Sequence, residues 1–301
     1  MAGWLGRLLG GAKERPAAVD EATCAAFLRA IEATARPAVL LTPEATAPMA
    51  DWAGRLGGPA WRPAGVAGPM GGDGAPMLHL VSLDFAALPP LDGFPDAGLL
   101  QFFVEEDLLG TMWEPTSPRR HRLDYWPAPR PGGIHPQPDL RESWRRPRQH
   151  PFWTEEIGAE GRALIARAGT VGYGISDYRM ATVYRALLGP WPGAEDAAAH
   201  DDYLVKVLTL DEHAVAEGAL TEHPGFFLGG QAQFCQGDPR GNDTTGEGYA
   251  EAARYDTTLL SLGPIDKVLN IGDGGIGTLM IPSTALARRA FDDTWWYWDC
   301  A

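Results

Sequence analysis

The sequence predicts a β-rich α+β fold, in which pseudo-duplicated strand–loop–strand units form one compact body with an N-terminal helix. The chain has 301 residues, of which 45 % are hydrophobic and 21 % charged, as in a globular protein with a sizeable core. Its 37 glycines and 26 prolines favour many short elements joined by turns over a helical bundle. A series of Gly-Gly turns and apolar runs also occurs twice in the same order.

The first elements follow from local patterns. Apolar residues recur at helical spacing between residues 20 and 36, where Asp20 can cap the start and Pro37 stops the helix. Apolar runs at 38–41, 77–84 and 99–104 are typical of strands. We expect a flexible N-terminus over residues 1–19 and a single domain over residues 20–301.

The middle of the chain is predicted to join two related halves, at about 38–110 and 203–301. Residues 115–150 form a Pro- and Arg-rich insert, which contains eight of the 25 basic residues. We expect this insert to pack on the body as an ordered loop without regular structure, anchored by Tyr125, Trp126, Trp144 and Trp153. Patterns after it indicate helices at 154–168, 183–188 and 211–217, and a strand at 203–210.

The internal repeat has three parts. Each copy is a Gly-Gly turn, an apolar strand, and a second turn that leads into another apolar strand. The paired segments are 56–60 with 228–232, 80–83 with 259–262, and 96–104 with 273–281, at offsets of 172 to 179 residues. Three pairs in one order predict a duplicated β-rich unit.

The same segments carry a resemblance to a known family. They are Arg55–Pro63, Leu78–Asp84, Gly98–Phe103, Leu228–Pro239, Leu259–Leu262, Ile271–Pro282 and Trp298–Cys300. Together they resemble the YwqG-like family of bacterial proteins, a domain of unknown function (1963), over about residues 20–301. The resemblance implies a β-rich α+β fold and no established catalytic residues. Relatives are often found in polymorphic toxin loci, so it also implies an immunity or partner-neutralising role.

Net charge and cysteine usage indicate which classes of partner and which cellular compartment to expect. The net charge is −14, with a pI near 4.9, which disfavours nucleic acid and anionic membrane surfaces. No apolar run is long enough to span a bilayer, and no signal peptide is indicated. Three isolated cysteines without a CxxC spacing suit a reducing compartment, so we expect a cytoplasmic protein.

Motifs for catalysis are weak. Residues 272–277 fit the G-x-G-x-x-G spacing, but an apolar strand-like run ending at Pro282 follows instead of a helix, so a turn between strands is expected. Cys235 with His213 or His223 is a possible nucleophile–base pair, although a small core cysteine is the simpler interpretation. We predict no catalytic set, no metal site and no cofactor.

Two groups of residues are candidates for binding. The polar group lies after the second Gly-Gly turn and in the glycine-rich turn: Gln231, Gln233, Gln236, Asp238 and Asp273. The aromatic group near the C-terminus, Trp295, Trp296 and Trp298, either covers a β core or leaves a ring exposed for a partner or a sugar. Two functions stay open: a non-catalytic interaction protein for a basic, toxin-like partner, or a small-ligand or carbohydrate binder (or unrecognised enzyme) with a cleft between the halves.

Overall fold

A computed structural model describes residues 19–44, 54–105, 115–130, 134–135, 152, 160–193, 195–220, 225–241 and 252–300. The helices are α1 Glu21–Glu32, α2 Met180–Leu188, α3 Ala197–Ala216 and α4 Ser283–Ala287. The strands are β1 Arg36–Glu44, β2 Arg55–Leu56, β3 Ala60–Trp61, β4 Leu78–Asp84, β5 Leu99–Val104, β6 His121–Trp126, β7 Ile134–His135, β8 Arg162–Val171, β9 Phe226–Gly229, β10 Thr257–Leu262, β11 Ile276–Ile281 and β12 Trp295–Asp299.

Ten strands form one antiparallel sheet, in the order β12-β11-β10-β9-β1-β8-β2-β4-β5-β6. The sheet curls until its two edge strands nearly meet. The Trp296 backbone N–H donates to the Pro115 carbonyl at 2.8 Å, just before β6, and His121 Nε2 lies 3.0 Å from Thr294 Oγ1. The nearly closed sheet confirms the predicted β-rich fold and leaves little unpaired strand edge.

The main core fills the inside of this curled sheet. Apolar side chains from both ends of the strand order meet there, and the rings of Phe102 in β5 and Trp296 in β12 lie 5.0 Å apart. Short α4 contributes Ala285 and Leu286, and Phe291 follows it. Burial of this apolar surface is the main force that holds the sheet closed.

The strand order is symmetric about the central β1–β8 pair. On one side β2, β4, β5 and β6 follow in chain order, and on the other side β9, β10, β11 and β12 do the same. Each side also has a register shift at the corresponding place, between His79 and Val81 in β4 and between Thr258 and Leu260 in β10. The segments predicted to be repeats therefore occupy corresponding positions.

The Gly-Gly turns make corresponding contacts as well. Gly57, Gly58, Gly229 and Gly230 all have φ between 63° and 69°, a conformation that only glycine adopts readily. The ring of His79 lies 3.0 Å from the Gly58 carbonyl, while the Thr258 hydroxyl, at the matching place in β10, lies 3.5 Å from the Gly230 carbonyl.

Several predicted elements are confirmed, and two are wrong. The N-terminal helix, the strand at 99–104 and the helix near 183–188 are present. The helix predicted at 154–168 is wrong in its described part, because residues 162–171 form β8, which is paired on both edges with β1 and β2. Pairing along its full length outweighs the helical propensity of its Ala, Arg and Leu residues.

The strand predicted at 203–210 is also wrong, because these residues lie within α3. Its inward-facing apolar residues, Tyr203, Val207, Leu210 and Ala214, recur at helical spacing. They pack against α1 and α2 in a second core at one end of the sheet. None of the described helices combines the length and the apolar character needed to cross a membrane.

The Pro- and Arg-rich insert is described only over residues 115–130 and 134–135. Its expected lack of regular structure is wrong here, because residues 121–126 form edge strand β6. Ion pairs fix this part: Arg122 and Arg62 both bind Asp124, at 2.8 and 2.7 Å, and Arg120 binds Glu105 at 2.6 Å. The predicted anchors Trp144 and Trp153 lie outside the described residues.

Candidate functional site

Three segments converge at the end of the sheet that carries the helices. β1 begins beside the end of β8, with Arg36 opposite Val171, because the two strands are antiparallel. β9 pairs with the other edge of β1, and it also ends beside the beginning of β1. The segments after β8 and β9 therefore meet, and the Asp238 backbone N–H donates to the Ser176 carbonyl at 3.1 Å.

A polar cluster of Asp177, Arg179, Gln231, Asp238 and Arg240 holds these segments together. Arg179 Nε and Nη2 donate to the two Asp177 oxygens at 2.8 and 2.6 Å, and Nη2 also donates to Gln231 Oε1 at 3.0 Å. Arg240 makes the same two-bond contact with Asp238, at 2.9 and 2.7 Å.

The charges of the polar cluster compensate each other. The side chains of Asp177 and Asp238 are fully buried, and each accepts from its own guanidinium. Arg240 also lies 3.9 Å from Asp177, which links the two pairs. Loss of one partner would leave a buried charge uncompensated, so we interpret the cluster as a rigid support for the surface beside it.

The surface beside the polar cluster is an open cleft of about 270 Å³. It is lined by Ile175, Ser176, Asp177, Tyr178, Met180, Ala181, Tyr184, Arg185, Trp191, Tyr203 and Val207. Four of these side chains are aromatic, and we call the site the aromatic cleft. Tyr178 and Trp191 are 47 % and 46 % exposed, so both rings are accessible at the surface of the cleft.

Trp191 is held in place although it is exposed. Its indole N–H donates to His200 Nδ1 at 3.2 Å, and its ring centroid lies 4.7 Å from that of Tyr203. The Tyr203 hydroxyl in turn donates to the Gly189 carbonyl at 3.2 Å. A ring fixed before binding loses little conformational entropy when a partner docks on it.

Behind the aromatic cleft, Tyr184 connects to a buried acid. Its hydroxyl donates to Asp211 Oδ1 at 2.6 Å, and its ring stacks on Phe27 with centroids 5.6 Å apart. Burial raises the pKa of Asp211 to about 6, and the hydrogen bond from Tyr184 opposes this rise. Burial and the nearby carboxylate raise the pKa of Tyr184 in turn.

The structure brings together three of the five polar residues that the sequence singled out. Gln231 and Asp238 belong to the polar cluster. Gln233 lies next to it and donates to the carbonyls of Gly172 and Gln231, at 2.9 and 3.2 Å. The side-chain amide of Gln231 (Nε2) donates to the Thr34 carbonyl at 2.8 Å. These bonds tie the segment after β9 to the ends of α1 and β8, and a ligand-binding role remains a prediction.

Gln236 and Asp273 are exposed on a different part of the surface. Gln236 donates to the Cys300 carbonyl, and Asp273 lies in the turn before β11. That turn, at 272–275, leads directly into a strand, as the sequence predicted. The carboxylate of Asp299 accepts the backbone N–H groups of Cys235 and Gln236, at 2.8 and 2.7 Å, and so fixes the loop beside it.

The C-terminal tryptophans are buried. Trp296 and Trp298 belong to the main core, and Trp295 packs with Tyr255 on the other face of the sheet. Only Tyr297 among the four consecutive aromatic residues is partly exposed. Their positions match the core-covering alternative that the sequence left open.

Cys235 lies in a poor environment for a nucleophile. Burial and the charge of Asp299 raise the pKa of its thiol to about 11, so the thiolate is scarce at neutral pH. Its Sγ lies 4.0 Å from the Gly274 carbonyl. Of its two predicted base partners, His213 lies on α3, whereas His223 is outside the described residues.

The aromatic cleft was not predicted from the sequence, although the sequence contains one signal of it. Trp191 lies in a Gly-Pro-Trp-Pro-Gly run at residues 189–193, where turn residues on both sides prevent a helix or strand from burying it. Tyr184 and Tyr203 belong to a helix pair whose packing depends on contacts distant in sequence.

Comparison with known proteins supplies a family but no function. The family model DUF1963, described as a domain of unknown function, matches residues 54–300, which confirms the resemblance noted in the repeated motifs. The matched region begins after α1 and β1 and includes both sides of the sheet. No curated protein matches the chain by sequence.

Proposed function

Given that the chain belongs to the DUF1963 family of domains of unknown function, we propose from its geometry that it is a non-catalytic interaction protein. The aromatic cleft is the docking surface for a protein partner. The observation that carries this proposal is Trp191, a large ring that is 46 % exposed at the edge of a concave surface and yet fixed by His200 and Tyr203. Exposed, preorganised aromatic rings are typical hot spots of protein interfaces.

The polar chemistry around the cleft favours binding over catalysis. In the polar cluster each carboxylate is engaged by an arginine, and neither is available as a general base. The pKa of the Cys235 thiol is raised, which disfavours a nucleophilic role. The two ion pairs of the polar cluster instead stabilise the walls of the site.

The partner that fits is a basic protein. The chain has a net charge of −14, so it attracts cationic surfaces over distances of about a Debye length. Neutralisation of a basic toxin by an immunity protein is one function of this kind, and we propose it for this chain on the basis of its charge and its family resemblance.

We also infer that the two sides of the sheet arose by duplication. The shared strand order, the matching register shifts and the matching Gly-Gly turns support this. The two units differ in one connection: residues 45–54 join β1 to β2, whereas residues 172–225 join β8 to β9. The aromatic cleft lies in the longer connection, and such additions to a shared scaffold often carry function.

The experiment compares two substitutions at equally exposed apolar residues. Trp191→Ala removes the ring at the cleft, and Ile165→Ala changes an apolar side chain that is 47 % exposed on β8. We expect the wild type and Ile165→Ala to bind the partner equally well. Trp191→Ala should bind the same partner at least about thirty times more weakly, which is the loss expected for a hot spot. Calorimetry with the purified partner measures it, and unchanged thermal unfolding shows that both variants fold.

Equal binding by the wild type and Trp191→Ala would contradict the cleft as the docking surface. The alternative, a small polar ligand held at Gln231, Gln233 and Asp238, gives a different result. Native mass spectrometry would then detect a bound small molecule that Gln233→Ala loses and Trp191→Ala retains.

A further inference from the structure

We infer that the aromatic cleft takes the guanidinium group of an arginine from a basic segment of the partner. This inference rests on the proposed function, because it names the chemistry that docks at the same site. Three properties of the cleft lead to it: the charge of the elements that form it, the chemistry of its rings, and the compensation of its buried carboxylate.

The elements around the cleft are acidic. Residues 175–207, which include all the described residues that line the cleft, contain five acids and three bases. Glu195, Asp196 and Asp201 are exposed on the segment that follows Trp191 and begins α3. A cationic group that approaches Trp191 therefore enters a region of negative potential.

The rings of this region already bind guanidinium groups from the chain itself. The guanidinium carbon of Arg179 lies 4.1 Å from the ring centroid of Tyr173 and 5.5 Å from that of Tyr178. Arg240 lies 5.9 Å from Tyr178. Trp191, the strongest type of cation–π acceptor, lines the same cleft and is partly exposed.

Arginine fits this site better than lysine. A planar guanidinium stacks on an aromatic face and is more weakly hydrated than an ammonium group, so it loses less hydration when it enters an apolar cleft. Asp177 cannot provide the main attraction, because Arg179 binds both of its oxygens. Recognition then depends on the rings and on the exposed acids.

Arg185 provides a test of the ligand's charge. It is exposed, and among the described residues that line the cleft it is the one basic residue. A cationic ligand is repelled by Arg185, whereas an anionic ligand is attracted. Replacement of Arg185 by glutamine therefore changes affinity in opposite directions for the two ligand classes.

The experiment measures fluorescence polarisation of a labelled short peptide in which arginine alternates with glycine and serine. Matched peptides carry lysine, citrulline or glutamate in place of arginine. We expect the arginine peptide to bind most tightly, and citrulline, which is neutral but similar in shape, to bind at least about ten times more weakly. Trp191→Ala should weaken arginine binding by a similar factor, Ile165→Ala should not change it, and Arg185→Gln should strengthen it.

Equal binding of the arginine and citrulline peptides, or weaker binding by Arg185→Gln, would overturn the inference. The outcomes also separate it from the proposed function. If no peptide binds and Trp191→Ala still loses the natural partner, only the arginine inference fails. If the arginine peptide binds at Trp191 but the natural partner is retained by Trp191→Ala, the proposed docking surface fails.

Discussion

Asp211→Asn replaces the buried carboxylate behind the aromatic cleft with a neutral group of the same shape. Asp211 is 9 % exposed and accepts the Tyr184 hydroxyl at 2.6 Å. The asparagine oxygen can accept the same hydrogen bond, so the substitution mainly removes a charge. We expect the variant to be more stable than the wild type at neutral pH.

The size of the effect follows from the pKa of Asp211. Burial raises it from 3.8 to about 6, and the charge of Glu212 adds to the rise, while the Tyr184 hydrogen bond opposes it. Because the folded-state pKa exceeds the unfolded value, the folded protein binds this proton more tightly. The stability gained from protonated Asp211 is fully present below the pKa of this group in the unfolded chain, and it is lost as the pH rises through about 6.

At neutral pH the ionised carboxylate therefore destabilises the wild type relative to the neutral variant. A shift of about two pKa units corresponds to at most roughly 3 kcal/mol, at ~1.4 kcal/mol per unit. The difference in unfolding free energy between Asp211→Asn and the wild type should be smallest near pH 4 and grow toward this limit by pH 7.

Urea unfolding at a series of pH values measures this difference directly. Asp201→Asn is the matched control, because it makes the same replacement at an exposed position of α3. Its effect should stay within about 0.5 kcal/mol across the range. A pH-independent difference for Asp211→Asn, or a variant less stable than the wild type at pH 7, would refute the argument.

Two further predictions concern the sheet. Gly58 and Gly274 both have φ of 69°, but an added Cβ at Gly58 overlaps the Glu160 carbonyl, whereas at Gly274 it meets nothing within 4 Å in the described structure. Gly274→Ala should lower the free energy of unfolding by about 1 kcal/mol, and Gly58→Ala should lower it by at least about 2 kcal/mol more. Urea unfolding measures both values, and equal losses would argue against the overlap with the Glu160 carbonyl. Because β1 pairs with β8 and β9, which are distant from it in sequence, fragments 19–130 and 131–300 should each be unfolded alone and should fold when they are combined. Near-ultraviolet circular dichroism of each fragment and of the mixture decides this, and a fragment that folds alone would contradict it.

The sequence predicted best those features that depend on local chemistry. The Gly-Gly turns need backbone conformations that glycine supplies, and the structure has positive φ at Gly57 and Gly229. The strand at 99–104 and the capped helix after Asp20 also follow from local patterns, and Asp20 accepts from the Thr23 N–H at 2.7 Å. Such features need no knowledge of the rest of the fold.

The errors occurred where distant pairing decides the structure. β8 consists largely of good helix formers, and it is a strand because β1 and β2 lie on its two edges. In α3 the run from 203 to 210 has strand-like composition, but its apolar face packs on α1 and α2. Local propensity predicted neither segment correctly, because tertiary packing contributes more to the free energy of folding than local propensity does.

The candidate site depends on the same distant pairing. Gln231 and Asp238 are close in sequence, but Asp177 and Arg179 join them only because β1 lies between β8 and β9 in the sheet. No spacing rule in the sequence connects these segments. The polar half of the site was therefore found in part, and the arginines that complete it were not.

The aromatic cleft lies outside the sheet because the large apolar side chains of the sheet are needed to pack its core. The inner face of the curled sheet is filled by apolar side chains, and the C-terminal tryptophans, the most conspicuous aromatic residues in the sequence, are needed to pack the sheet. Large rings that stay exposed must come from segments outside these packed layers. Residues 172–225 form such a segment: they have their own small core with α1, and they hold Trp191 between two prolines at its surface. A side chain such as Trp191 can therefore be replaced without disturbing the packing of the sheet, as is typical of surface connections built on a rigid scaffold.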